Sequence, residues 1–123
     1  MFDKILQINL LFDFYGQLLT DKQQDVLQFY YTHDLSLGEI SEQLNVTRQA
    51  VYDTMKRAEK ILFEYEEKLG LVGKFNNTKV QIQEIIKISE NIENNIDLFV
   101  SNPEEMLSDI RRIKEISCDI LEK

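Results

Sequence analysis

The stretch between residues 36 and 62 constrains the fold more than any other part of the chain. Ser36 is followed three positions later by Glu39, a capping-box pair that predicts the first turn of a helix. Asn45 then opens a turn, after which Thr47 can cap a second helix. Aliphatic residues stand where two such helices must lock together at a steep angle: Leu37, Ile40, Leu44, Val46 and Val51. We interpret residues 36–62 as a helix-turn-helix; a chance hairpin of two bundle helices is the alternative.

The second helix of this motif is predicted to be long. It meets no helix breaker before Gly70, so it is expected to end at Leu69. Its apolar residues recur at steps of three and four and predict one buried stripe: Val51, Met55, Ala58, Leu62, Tyr65 and Leu69. The whole chain of 123 residues has one proline and four glycines, which favours helices over a turn-rich β architecture. The predicted fold class is therefore all-α.

Two helices are predicted before the motif. The first covers Phe2–Tyr15, and the second begins at Thr20, where Gln23 completes another capping-box pattern, and reaches Tyr31. The face that the first helix is expected to bury consists of Ile5, Ile8, Phe12 and Tyr15.

Two further helices are predicted after the motif. A loop over residues 70–78 is expected to lead into a fifth helix that reaches Phe99, and Asn102 with Pro103 starts a sixth. We predict a helix-turn-helix domain over residues 1–70 and a C-terminal helical extension over residues 71–123. The antiparallel helical pair of this extension is expected to pack on the first domain or on a second subunit.

The outward face of the second motif helix carries residue types that contact DNA. Arginine pairs with guanine, glutamine pairs with adenine, and both basic residue types contact phosphates. The candidate DNA-binding residues are Thr47, Arg48, Gln49, Tyr52, Asp53, Lys56 and Arg57. An ordinary solvated helix face is the alternative, and Asp53 and Glu59 are typical of one.

The charge distribution does not indicate a strongly basic nucleic-acid-binding domain. The formal charge is −8, of which residues 20–62 contribute −2 and residues 63–123 contribute −5. Proteins that bind nucleic acid by bulk charge usually have a basic domain. The acidic C-terminal part suits a basic partner instead.

Patterns for catalysis, metal binding and membrane insertion are missing from the sequence. His33 has no nucleophile beside it in a recognisable motif, and acidic runs such as residues 64–67 are typical of a solvated helix face. The lone Cys118 is expected to be a buried or half-buried small apolar residue. No enzyme activity, catalytic residue, cofactor or metal site is predicted. Without a signal peptide or an apolar run of ~20 residues, we expect no membrane insertion and a cytoplasmic location.

Several of these segments resemble the YlxM family of helix-turn-helix proteins of Gram-positive bacteria. The resemblance runs from the N-terminus to about Phe75 and is dense at FDFY (Phe12–Tyr15), at DLSLGEI (Asp34–Ile40) and over residues 46–53. It implies an all-helical fold whose helix-turn-helix is similar to region 4 of bacterial sigma factors. It also places the recognition-helix motif of the family on residues 48–53. Genes of this family commonly neighbour those of the signal recognition particle pathway, which implies a link to protein targeting.

Two functional hypotheses remain open at this point. One is a regulatory protein that binds DNA through the second motif helix. The other is a protein or ribonucleoprotein adaptor that acts directly on signal recognition particle components through its acidic helices. A homodimer is expected in either case, from the apolar excess of the first helix and the isoleucine-rich fifth helix.

Overall fold

The computed structural model describes residues 2–122, and within that range it contains helices and no strand. The chain also has a 3₁₀ turn at Gly16–Leu18 and a π-helical segment at Gln28–Thr32. The predicted all-α fold is confirmed. The α-helices are α1 (Phe2–Tyr15), α2 (Asp21–Leu27), α3 (Leu37–Leu44), α4 (Arg48–Leu69), α5 (Leu71–Asn94), α6 (Ile96–Ser101) and α7 (Pro103–Glu122).

The chain divides into two compact units, Met1–Gly73 and Lys74–Lys123. The first unit has one apolar core, in which α1, α2 and α3 pack on α4. Four of the six residues predicted as the inward stripe of α4 are buried there: Val51, Met55, Ala58 and Leu62. Tyr65 is half-buried and Leu69 is exposed, so the predicted stripe is wrong at the distal end of α4.

The buried face of α1 differs from the prediction. Ile8, Leu11 and Tyr15 are buried, whereas Ile5 is exposed. At 100° per residue, Leu11 lies farther from Ile5 around the helix than Ile8 and Tyr15 do. The buried stripe of α1 is therefore rotated away from Ile5 and towards Leu11. The sequence alone could not fix this rotation because α1 is apolar on most sides.

The predicted loop over residues 70–78 is wrong, because α5 begins at Leu71, directly after Gly70. Gly70 adopts a left-handed conformation with φ 62°, which ends α4 as predicted and turns the chain at once. The Glu66 carboxylate accepts hydrogen bonds from the amides of Val72 and Gly73, both at 3.0 Å. These amides belong to the first turn of α5, so a side chain from α4 satisfies donors that a helix start otherwise leaves open.

In the second unit, α5 and α7 form the predicted antiparallel pair. Arg112 donates to Glu84 at 3.1 Å, and Asn91 donates to Asp109 at 3.3 Å, so a later residue of α5 meets an earlier one of α7. The helix predicted to reach Phe99 is interrupted after Asn94, and the short α6 precedes α7. Cys118 is exposed, contrary to expectation, because α7 turns its Ile113, Ile116 and Ile120 side inward instead.

Candidate nucleic-acid interface

The helix-turn-helix is built by short-range hydrogen bonds at the places that the sequence predicts. Ser36 and Glu39 form a reciprocal capping box at the start of α3, with both bonds at 3.1 Å. Asn45 takes a left-handed conformation with φ 56° and ends α3. The Thr47 hydroxyl oxygen then accepts a hydrogen bond from the Ala50 amide at 3.0 Å and starts α4. Helix α3 therefore ends and α4 begins within a few residues, and local hydrogen bonds fix both ends.

All seven candidate DNA-binding residues are exposed. They lie at the N-cap and along the first three turns of α4, on the side away from the buried residues Val51, Met55 and Ala58. Tyr52, the one aromatic residue among them, keeps 42% of its surface exposed. The structure therefore gathers the predicted residues on one accessible helix face.

The Arg48 guanidinium lies over the backbone of Gly38 in the first turn of α3. A β-carbon at position 38 would be 3.1 Å from Nε and Nη2 of Arg48, which is too close for relaxed packing. Glycine thus leaves room for the arginine to rest against α3. This contact connects the two helices of the motif on their outer side.

Gln49 and Asp53 form a hydrogen-bonded pair one turn apart on α4. The Gln49 side-chain amide donates to Asp53 Oδ1 at 2.9 Å. Asp53 can therefore orient Gln49. The bond uses one of the two amide hydrogens of Gln49 and leaves the second hydrogen and the carbonyl oxygen for other partners.

Lys56 is held by two neighbours on α4. Its Nζ lies 5.6 Å from the centroid of the Tyr52 ring and 3.7 Å from Glu59 Oε2. The negative charge of Glu59 is the main cause that raises the pKa of Lys56 above its ordinary value. Lys56 thus stays protonated, with part of its charge balanced by Glu59.

Glu59 corrects the expectation of a solvated residue, because it is only 5% exposed. Its Oε1 accepts a hydrogen bond from the Tyr31 hydroxyl at 2.6 Å and lies 3.5 Å from Nζ of Lys4. Burial is the main cause that raises the pKa of Tyr31 well above its ordinary value, and the bond to Glu59 raises it further. The signal available in the sequence was position: Glu59 is four residues after Met55 and three before Leu62, at the edge of the buried stripe.

Two of the three basic side chains on this face, Arg48 and Arg57, have no ion-pair partner within the described residues. The third, Lys56, is paired with Glu59. A helix face with two free guanidinium groups beside an oriented glutamine can contact both phosphates and base edges. The same part of the chain contains no cluster of three or more metal-ligating side chains and no helix that is long and apolar enough to cross a bilayer.

Comparison with known sequences gives the family of the chain. Residues 2–102 match the profile of the UPF0122 family, described as "Putative helix-turn-helix protein, YlxM / p13 like". The chain belongs to the UPF0122 family. The resemblance read from the sequence is thereby confirmed, and the match extends beyond Phe75.

Relatives in the UPF0122 family match between 69% and 99% of the chain in the three comparisons below. A UPF0122 protein of Desulforamulus reducens is 58% identical over 87 residues, which are 71% of this chain and 74% of the relative. A UPF0122 protein of Halalkalibacterium halodurans is 53% identical over 85 residues, 69% of this chain and 78% of the relative. A UPF0122 protein of Thermoanaerobacter sp. strain X514 is 45% identical over 122 residues, 99% of this chain and 97% of the relative. The last comparison includes the second unit as well as the helix-turn-helix.

Proposed function

We propose that this UPF0122 protein is a non-enzymatic, cytoplasmic regulator that binds DNA through the exposed face of α4. The observation that supports this most is the pair of arginines, Arg48 and Arg57, which have no ion-pair partner in the described part of the chain. The major groove of B-DNA is about 12 Å wide and admits a helix of this kind. A similarity of this motif to region 4 of sigma factors is part of the proposal.

The roles of the seven residues follow from their chemistry and position. Arg48 and Gln49, at the first turn of α4, are assigned to base edges, with Asp53 holding Gln49 in place. Arg57 and Lys56 are assigned to phosphates, because they lie further along the helix. Thr47 positions the end of α4 through its bond to Ala50, and Tyr52 supports Lys56 through its ring.

The small number of basic side chains predicts weak binding by a single copy. If Lys56, Arg57 and Lys60 neutralise three phosphates, the logarithm of the binding constant falls with the logarithm of salt concentration with a slope of about −2.7. We therefore propose a homodimer, in which two copies read two half-sites and double this slope.

Fluorescence anisotropy with labelled genomic DNA fragments tests the proposal. Arg48→Ala should weaken binding about tenfold, in line with ~1–3 kcal/mol for a good base contact. Arg57→Ala should also weaken binding, because one phosphate contact is lost. Lys68→Ala is the matched control, because Lys68 is an exposed basic residue in the last turn of the same helix. Equal affinities for all four proteins, or no DNA binding at low salt, would reject the proposal.

A second candidate role is an adaptor that acts on signal recognition particle components. The supporting observation is the excess of acidic residues, thirteen against eight basic residues over residues 63–123. A surface of this charge suits a basic protein. Binding to purified particle protein and RNA should then weaken in a Glu104→Lys, Glu105→Lys variant and stay unchanged in Arg48→Ala. The reverse pattern, or no binding, would count against this role.

A further inference from the structure

The second unit buries little apolar surface within itself. Within residues 74–122, apart from the side chain of Phe99, Ile116 is the one residue that is buried, at 4% exposure. The contacts that join α5 to α7 include the hydrogen bonds of Glu84 with Arg112 and of Asn91 with Asp109. A unit with so few buried side chains has too little core to exclude water from its other apolar side chains. An antiparallel pair of this kind therefore needs a further covering surface.

One face of α5 supplies exposed apolar surface away from those polar contacts. Ile82 and Ile86 are 45% and 51% exposed. They lie one helical turn apart, on the same side of α5. The 100° step of the helix puts Glu84 and Asn91, which bond to α7, on the opposite side. The two isoleucines thus form an apolar patch in the middle of the helix.

Two opposite charges lie on either side of this patch. Lys79 is three residues before Ile82, and Glu90 is four residues after Ile86, so both lie on the same face of α5 as the isoleucines. Both are exposed, and neither forms an ion pair in the portion of the chain that the structure describes. The face is therefore basic towards one end, apolar in the middle and acidic towards the other end.

We propose that a second copy of this chain covers this face, with its α5 antiparallel to the first. A twofold axis between Ile82 and Ile86 brings the isoleucines of both copies together. The same axis places Lys79 beside the partner's Glu90, and it does so twice because the contact is symmetric. The two helical hairpins then form a four-helix bundle. This inference goes beyond DNA binding, since the contact requires no nucleic acid.

Charge reversal tests the antiparallel arrangement directly. In a dimer of Lys79→Glu, positions 79 and 90 of both copies are acidic, so acidic residues oppose each other at both contacts. In a dimer of Glu90→Lys, basic residues oppose each other at both contacts. Sedimentation equilibrium without DNA should show a dimer for the unaltered chain and a dissociation constant at least about tenfold higher for each variant. An equimolar mixture of the two variants should recover the dimer, because both contacts of the mixed pair are then oppositely charged. Lys114→Glu, at an exposed position on α7, is the matched control and should leave the dimer unchanged.

Several results would overturn the proposed contact. One is a monomeric mass for the unaltered chain up to about 100 μM, a concentration at which even weak specific pairs assemble. The others are equal dimerisation of all variants and a failure of the mixed variants to recover the dimer. Circular dichroism of each variant shows whether helix content is retained, and Ile82→Asp provides a second way to weaken the apolar patch. The failure of this proposal would leave DNA binding by a single copy intact, because the assay contains no DNA.

Discussion

The Tyr15 hydroxyl donates a hydrogen bond to Glu66 Oε1 at 2.5 Å and accepts one from the Leu71 amide at 3.1 Å. The phenol thus joins the end of α1 to the end of α4 and the start of α5. Glu66 in turn accepts bonds from the amides of Val72 and Gly73. One residue pair, 51 positions apart in sequence, fixes the junction of three helices.

Replacing Tyr15 with phenylalanine should destabilise the first unit by about 1–3 kcal/mol. The variant keeps the buried ring but leaves the Leu71 amide without its acceptor and removes one donor from Glu66. Urea denaturation followed by circular dichroism measures the change. Tyr30→Phe is the control, since Tyr30 is exposed. An unaltered midpoint for Tyr15→Phe would show that this junction contributes nothing to stability.

The same carboxylate predicts a dependence of stability on acid pH. Burial disfavours the charged form of Glu66, but hydrogen bonds from Tyr15 and from the amides of Val72 and Gly73 outweigh it and lower the pKa of Glu66 below 4.5. Because the folded pKa lies below the unfolded one, the stabilisation is complete above the unfolded value. It is lost as pH falls through the folded pKa.

Denaturation at a series of pH values checks this dependence. In Glu66→Gln, the acidic loss of stability should be smaller than in the unaltered chain, because the group that titrates is gone. Glu67→Gln is the matched control on the exposed side of α4. Parallel pH profiles for the unaltered chain and Glu66→Gln would contradict the argument.

The Tyr31–Glu59 pair should be coupled energetically. Tyr31→Phe removes the donor to the buried carboxylate and should cost about 1–3 kcal/mol, because a charged group loses a hydrogen bond. A double-mutant cycle with Glu59→Gln should give a coupling free energy of at least about 0.5 kcal/mol. Additive effects of the two substitutions would mean that the bond contributes nothing of its own.

These two pairs also show which features the sequence could and could not predict. The caps at Ser36, Thr47 and Gly70 act within four residues, so the local sequence contains all that is needed to place them. Glu66 and Glu59 bond to tyrosines 51 and 28 residues away. Their local sequence predicts two solvated side chains, because their roles depend on how α1 and the segment around Tyr31 pack on α4.

The exposed face of α4 was predictable for the same local reason. Its inward residues are apolar at helical spacing, so the outward position of Arg48, Lys56 and Arg57 follows from geometry. The pairing of Lys56 with Glu59 was not predictable, since it depends on the burial of the acidic residue. DNA binding by this face stays a proposal.

Gly38→Ala should fold and bind DNA more weakly. The added β-carbon would meet the end of the Arg48 side chain, which can move aside, so the cost to stability is expected to be small. The displaced guanidinium would no longer rest against α3. We expect the affinity for DNA to fall about twofold to tenfold, because the base contact of Arg48, worth ~1–3 kcal/mol, would be weakened and not lost. Anisotropy titration measures the affinity, and Gly73→Ala is the control. Unchanged affinity would indicate that the contact between Arg48 and Gly38 has no role in binding.

The salt dependence of DNA binding tests the central claim most directly. Titrations at a series of salt concentrations give the slope of the logarithm of the binding constant against the logarithm of salt concentration. Arg57→Ala should make this slope shallower by about 0.9 for each copy that binds, because one phosphate contact is lost. Lys68→Ala should leave it unchanged. An identical slope for Arg57→Ala and the unaltered chain would contradict the assignment of the α4 face to DNA.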